Sequence, residues 1–317
     1  MPIVSPSLQN LERAAELLRD GGVVAIPTET VYGLAANAFD ARAVARVYEI
    51  KRRPSFDPLI VHVLDEAMLA RVAAGIPDAA RALIARFWPG PLTLVLPKAA
   101  AIPGLVTSGL STVAVRMPAH PVARSLLELA GVPLAAPSAN RFGSLSPTRA
   151  AHVAGQLGDD PDLILDGGAC EHGVESTIVA FDSGVRVLRP GAVPLEALAA
   201  LVPEVTLGRS DAEMPVAPGQ LAHHYAPRTP LRLVEAGGSR IEGRAEAGFL
   251  GFMRPAAGYA QHRVLSETGD LREAAARLFE ALHELDGLGL DRIDAETVPE
   301  AGLGVAIMDR LRRASAH

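Results

Sequence analysis

The chain has 317 residues, 49% of them apolar, with 36 acidic against 30 basic side chains, a net charge of −6 and one cysteine, Cys170. At roughly 100–200 residues per domain this length implies two domains, and the composition excludes a disordered chain, an internal disulfide and a Cys-rich zinc site. The acidic balance argues against broad binding of nucleic-acid backbone, and no apolar run reaches the ~18 residues of a membrane span. The opening MPIVSPSLQNLERAAELL lacks the basic-then-apolar pattern of a secretory leader, so a cytoplasmic protein is the expectation.

In chain order, Ser7 is placed to cap a helix whose face carries Leu8, Leu11, Ala14, Ala15, Leu17 and Leu18, stopped by Gly21-Gly22. The short strand VVAI breaks at Pro27. A helix follows near 41–50, the strand LIVHV at 59–63, and helices near 65–74 and 78–87. The runs LTLVL at 92–96 and TVAVRM at 112–117 read as strands, then a helix near 121–130, the apolar PLAAP, a helix from Pro147 and the strand LILD. STIVAFD and VRVLRPG read as a hairpin around Ser183-Gly184. Short strands mixed with helices indicate an α/β domain with a mixed sheet. From about Val202 to Arg228 periodicity vanishes and prolines recur, the composition of a linker. Beyond it LRLVEA, AGFLGFM, HRVLSE, a helix at 271–285, a strand near 291–297 and a last helix near 303–314 form a smaller α/β unit.

Common signatures are missing: there is no GxxxxGK[ST] loop, no GxSxG elbow and no HExxH. His223-His224 has no carboxylate at metal-ligand spacing. Instead, polar residues interrupt strand ends. PTETVYG follows the first strand, KRRP precedes LIVHV, Arg116 ends TVAVRM, PSAN leads into SLSP, GVEST opens one strand and Arg189 closes another. Ligand sites in α/β sheets lie at such ends. Each element has a structural alternative. Thr28 and Thr30 suit a turn, Lys51, Arg52 and Arg53 suit a helix C-terminus, His62 suits a core position, and Arg116 needs either an internal acidic partner or an anionic ligand. Only Lys51 and Lys98 are lysines. Together, hydroxyl donors and cations without a nucleophile–base pair suit a polyanion beside a small polar molecule, with catalysis by positioning and charge neutralisation, as in nucleotidyl transfer.

The ordered segments GGVVAIPTETVYGLAANA, KRRPSFDPLIVHV, WPGPLTLVLP, TVAVRMPAHP, PLAAPSANRFGSLSPT, GVESTIVAF and VRVLRPGAV resemble the Sua5/YrdC/YciO family of threonylcarbamoyl-AMP synthases. HHYAPRTPL and GLGVAIMDRLRRAS resemble its longer Sua5 form. The resemblance implies a YrdC-like twisted mixed sheet as a catalytic domain over 1–201, a Pro-rich linker acting as a lid over 202–228, and a smaller Rossmann-like C-terminal domain over 229–317. It implies that L-threonine, bicarbonate and ATP, with Mg²⁺, give threonylcarbamoyl-AMP and pyrophosphate, for a downstream tRNA threonylcarbamoyl transferase machinery acting on position 37 of ANN-decoding tRNAs. Carried over by position, the threonine side would use Thr30, His62, Arg116, Ala136 and Ser176. The ATP side would use Lys51, Arg53, Asp57, Thr112, Ser138, Ser146, Arg189 and Tyr225. Lys51 would face the phosphates, and Asp57 would need Mg²⁺ or Arg52 to avoid repelling them. Metal-ligating residues are not implied. The alternative reading is a double-stranded-RNA-binding or ribosome-maturation module of the same domain type, with weak RNA binding.

Overall fold

The computed structural model describes residues 3–208, 217–219, 224–235 and 243–316. Its first unit runs through β1 (Ile3–Val4), α1 (Leu8–Arg19), β2 (Val24–Ile26), β3 (Gly33–Asn37), α2 (Ala41–Lys51) and β4 (Ile60–His62). It continues through α3 (Glu66–Val72), α4 (Asp78–Phe87), β5 (Leu92–Pro97), β6 (Thr112–Arg116), α5 (Pro121–Ala130) and β7 (Leu134–Ala135). Then come α6 (Ala150–Leu157), β8 (Leu163–Leu165), β9 (Thr177–Ala180), β10 (Arg186–Arg189), α7 (Leu195–Ala199) and β11 (Thr206–Leu207). Helix starts follow local capping chemistry. Ser7 Oγ accepts from the Asn10 amide, and the Asp40 carboxylate accepts from the Arg42 and Ala43 amides.

These strands form one eleven-stranded sheet in the order β1-β8-β2-β3-β7-β4-β6-β5-β9-β10-β11. It is mixed: β4 and β6 pair parallel, β5 and β6 antiparallel, β5 and β9 parallel, and β9 and β10 form the expected antiparallel hairpin. The register places the site. His62 lies opposite Arg116, and Arg116 opposite Thr93. Because alternate residues share a face, Ile60, Ala114, Val95 and Ile178 line up with them as a small apolar floor, joined by Ala180, Leu188 and Ala217. The other face carries the main core, where Val61, Val115, Leu94 and Val179 meet helix residues such as Leu18 and Leu127.

Three sequence expectations change. The strand β3, with sequence GLAAN, has neither β-branched residues nor alternation to announce it; pairing to β2 and β7 on both edges creates it. The helix expected from Pro147 begins at Ala150, because Arg149 is extended. Thr206–Leu207, in the stretch expected as linker, adds β11 parallel to β10. Of the rest of that stretch, 209–216 and 220–223 lie outside the described residues.

The second unit comprises β12 (Leu231–Val234), β13 (Ala247–Gly251), β14 (Gln261–Val264), α8 (Leu271–Asp286), β15 (Arg292–Glu296) and α9 (Gly304–Ala314). Its four strands are all parallel, in the order β12-β15-β13-β14. Helix α8 carries the chain from the edge strand β14 past β13 to β15, which runs parallel to it and pairs with β13 and β12. Its apolar core does not end at a domain boundary. Leu278, Phe279, Ile307 and Leu311 are continuous with Val31, Leu145, Val174 and Tyr225. Gly173 marks how closely the units approach: a Cβ there would lie 2.4 Å from the Ala276 carbonyl oxygen, and its φ is +65°.

Candidate active site

The C-terminal ends of β4 and β6 and the start of β9 open into one cavity. Its wall takes residues from every polar interruption seen in the sequence: Thr28 and Thr30, Arg53, His62, Arg116, Ala136 and Ser138, Glu175 and Ser176, and Arg189. The stretch between the two units closes it with Pro218, Gly219, His224 and Tyr225.

On one wall Arg116 is almost wholly buried and held on three sides. Its Nη2 pairs with Glu29 Oε1 at 2.6 Å, Nη1 donates to Thr30 Oγ1 at 2.8 Å and Nε donates to the Gly90 carbonyl at 3.2 Å. Arg116 thus has the internal acidic partner raised as one alternative, and its side chain also lines the cavity. A guanidinium carries five N–H donors, so one hydrogen remains on each Nη. Burial would push the Glu29 carboxyl up, but the Arg116 charge outweighs it and holds the group at about 2. Thr28 serves both roles too: its hydroxyl bonds the Val31 carbonyl at 2.6 Å and meets Thr30 Oγ1 at 2.9 Å. His62, buried beside the Arg116 charge, is pushed down to about 3. At neutral pH it is an uncharged ring with one donor and one acceptor nitrogen.

The lining carries further cations. Arg53 forms an ion pair with Asp57 at 2.8 Å and donates to the Asp57 and Pro58 carbonyls. Arg189 donates to the Ser176 carbonyl from Nε and Nη2, and from Nη1 to the Pro218 carbonyl at 3.3 Å. It therefore ties the cover to the sheet. Ser176 Oγ is fixed by Thr93 Oγ1 at 2.7 Å. Gly219 passes so close that a Cβ would sit 2.7 Å from Tyr225 Oη and 2.9 Å from Arg189 Cδ. Tyr225 has a left-handed backbone, φ 65°, and a buried hydroxyl without a partner among the described residues.

Four expected positions do not line this cavity. Lys51 does not face it: its Nζ donates to the Ser138 and Asn140 carbonyls, both at 2.6 Å, and so holds the loop that presents Ser138. Burial and the neighbouring Arg53 press that amine well below its usual value. Asp57 backs Arg53, so Arg53 rather than Arg52 answers its charge. Ser146 donates to Glu175 Oε1 behind the wall. Thr112 starts β6, opposite Pro97, at the other end of the strand from Arg116. Conversely, Glu29, Glu175 and His224 were not assigned from sequence, while Pro218 and Gly219 fall in the stretch expected to act as a lid. The carboxylates inside PTETVYG and GVEST were the available signal for the first two.

The sequence matches the Sua5/YciO/YrdC family, described as "Telomere recombination", over residues 16–191, and "Threonylcarbamoyl-AMP synthase, C-terminal domain" over 193–316. The chain belongs to the Sua5/YrdC/YciO family. It is 43% identical to a threonylcarbamoyl-AMP synthase of Pyrococcus abyssi over 96% of this chain and 93% of that protein. It is 43% identical to one of Bacillus subtilis over 96% and 92%. The crystal structure of P. abyssi Sua5 complexed with L-threonine superposes with a TM-score of 0.90 at 41% identity, covering 97% of this chain and 94% of that one. This family member is therefore an enzyme of the long form, a mixed-sheet domain joined to a parallel four-stranded one. No helix among its described residues is long and apolar enough to cross a membrane.

Proposed function

We propose that this enzyme joins L-threonine, bicarbonate and ATP into threonylcarbamoyl-AMP in the cytoplasm, releasing pyrophosphate, and that the product feeds a tRNA threonylcarbamoyl transferase machinery acting on position 37 of ANN-decoding tRNAs. The observation that carries this is the meeting of Thr30, His62, Arg116 and Ser176 with Arg53, Ser138, Arg189 and Tyr225 around one cavity. The threonine bound in the P. abyssi relative supports it.

The threonine carboxylate accepts from the two free Arg116 Nη hydrogens, which Glu29 and Thr30 orient from behind. Neutral His62 and the Thr30 hydroxyl are suited to the amino acid's small polar groups, so analogues lacking them leave buried polar atoms unmatched. The threonine amine adds to bicarbonate with loss of water, giving a carbamate. A carbamate oxygen then attacks the α-phosphorus, and the bond to the pyrophosphate oxygen breaks. Arg53 and Arg189 offset the triphosphate charge, and Ser138 donates to its oxygens. The cover excludes water from a carbamate and a mixed anhydride that both hydrolyse.

Mg²⁺ would accompany ATP as part of the substrate. No cluster of three metal-ligating side chains exists among the described residues. The carboxylates near the wall, Glu29, Asp57 and Glu175, each face an arginine. The donor set does not fit a resident ion. Incubation with labelled threonine, bicarbonate and ATP tests the proposal: threonine-dependent adenylate and pyrophosphate are expected, whereas ATP turnover indifferent to threonine contradicts it.

A further inference from the structure

We propose that Arg310, on the last helix of the C-terminal unit, is a positioning residue that shapes the nucleotide side of the cavity in the first unit. The inference rests on the functional reading above and adds a residue to it. Arg310 is the largest fully buried side chain among the described residues and does not itself line the cavity. Its contacts reach the cavity wall from behind. Nε pairs with Glu175 Oε2 at 2.9 Å, and Nη1 donates to the Pro190 carbonyl at 2.7 Å, the residue after Arg189. The guanidinium also lies 5.1 Å from the ring centroid of Tyr225, within cation–π range. Asp309, through its own carboxylate, steadies the same nitrogen at 2.7 Å.

Each contact bears on a different part of the site. Glu175 lines the cavity and accepts the Ser146 hydroxyl through its other oxygen, so a single carboxylate spans from α9 to the SLSP loop. Burial would raise this carboxyl, but Arg310 and Arg189 outweigh it and keep it below its usual value. The Pro190 contact sets the end of the strand that carries Arg189. Tyr225 belongs to the cover and holds a strained left-handed backbone, which persists only where its surroundings over-determine it. A fork-shaped donor that grips a carboxylate, a carbonyl and a ring face at once cannot be replaced by a lysine point charge. None of these contacts touches the Thr30–Arg116–Glu29 wall.

The test compares the full-length enzyme with Arg310→Met and Arg310→Lys by calorimetric binding of α,β-methylene-ATP, by KM and kcat for adenylate formation, and by thermal melting. Loss of a charge-assisted pair is expected to weaken analogue binding in Arg310→Met about tenfold. The KM for ATP should rise by the same factor, while the KM for threonine stays within about twofold. Arg310→Lys should recover part of the loss. A purely structural role would lower melting and the active fraction, reducing kcat with both KM values unchanged, and that result overturns the proposal. If Arg310→Met does not fold, Arg310→Lys decides alone: a raised ATP KM supports the role and an unchanged one overturns it. Wild-type enzyme that makes the adenylate, beside an Arg310→Met variant that binds the analogue equally well, removes only this inference. Wild-type enzyme that neither binds the analogue nor makes the adenylate removes the functional reading and this inference with it.

Discussion

On the wall carrying Arg116 and Glu29, the polar contacts come from β6, the loop after β2 and the loop before β5 that carries Gly90. On the wall carrying Arg189 and Glu175, they come from the sheet, from Pro218 in the stretch between the units and from Arg310 near the end of the chain. These contacts of the first wall lie within one unit; the second wall adds contacts from α9 of the other.

Four measurements sharpen or break this contrast, and the largest effect belongs to Arg116→Ala. Removing one partner of a buried pair leaves Glu29 uncompensated, at about 3–5 kcal/mol. Threonine-dependent pyrophosphate release should fall at least about a hundredfold while ATP-analogue binding changes little. Equal losses on both sides would erase the distinction between the walls.

Acid comes next. The Glu29 carboxyl sits at about 2, below its ordinary 4.5, so its contribution to stability is present above 4.5 and is lost as pH falls through about 2. His62 sits at about 3, below its ordinary 6.5, so the unfolded chain binds the extra proton between those values and stability falls as pH drops from 6.5 to 3. Both act in the same direction. Melting temperature should decline steadily below pH 6.5, and His62→Gln should reduce that slope. A flat profile between pH 6.5 and 4.5 contradicts the burial assigned to His62.

A smaller effect is expected at Gly219→Ala, where φ is +79° and the new methyl would press on Tyr225 and Arg189. We expect a stability cost of about 1–2 kcal/mol and weaker nucleotide binding, with threonine capture spared. Equilibrium denaturation with parallel ligand titrations would separate the two.

The smallest lies at the seam, where His152 and His283 stack with centroids 3.9 Å apart and His283 Nε2 meets the Ser146 carbonyl at 3.1 Å. His283→Leu should cost about 1 kcal/mol in urea unfolding. A cost several times larger would mean that this stack is a principal hold between the two units.

Much of the first wall was legible in the chain. Arg116 on an apolar strand, His62 in LIVHV and the hydroxyls of PTETVYG announce themselves because polar atoms are costly among buried ones, and the parallel register of β4 and β6 merely sets them side by side. Lys51 misled for a physical reason: a cation beside two arginines looks like a phosphate ligand, yet its acceptors are carbonyls 87 and 89 residues away. The strand GLAAN was illegible because its conformation comes from its neighbours.

Local order along the chain determined the caps, the strand runs, the polar breaks at strand ends and the membership in a family, since these depend on residues a few positions apart. The pairing of Arg310 with Glu175, 135 residues earlier, and the place of Pro218 and Tyr225 at the cavity belong to the tertiary structure. No spacing rule links such partners, because their meeting depends on the summed geometry of everything between them.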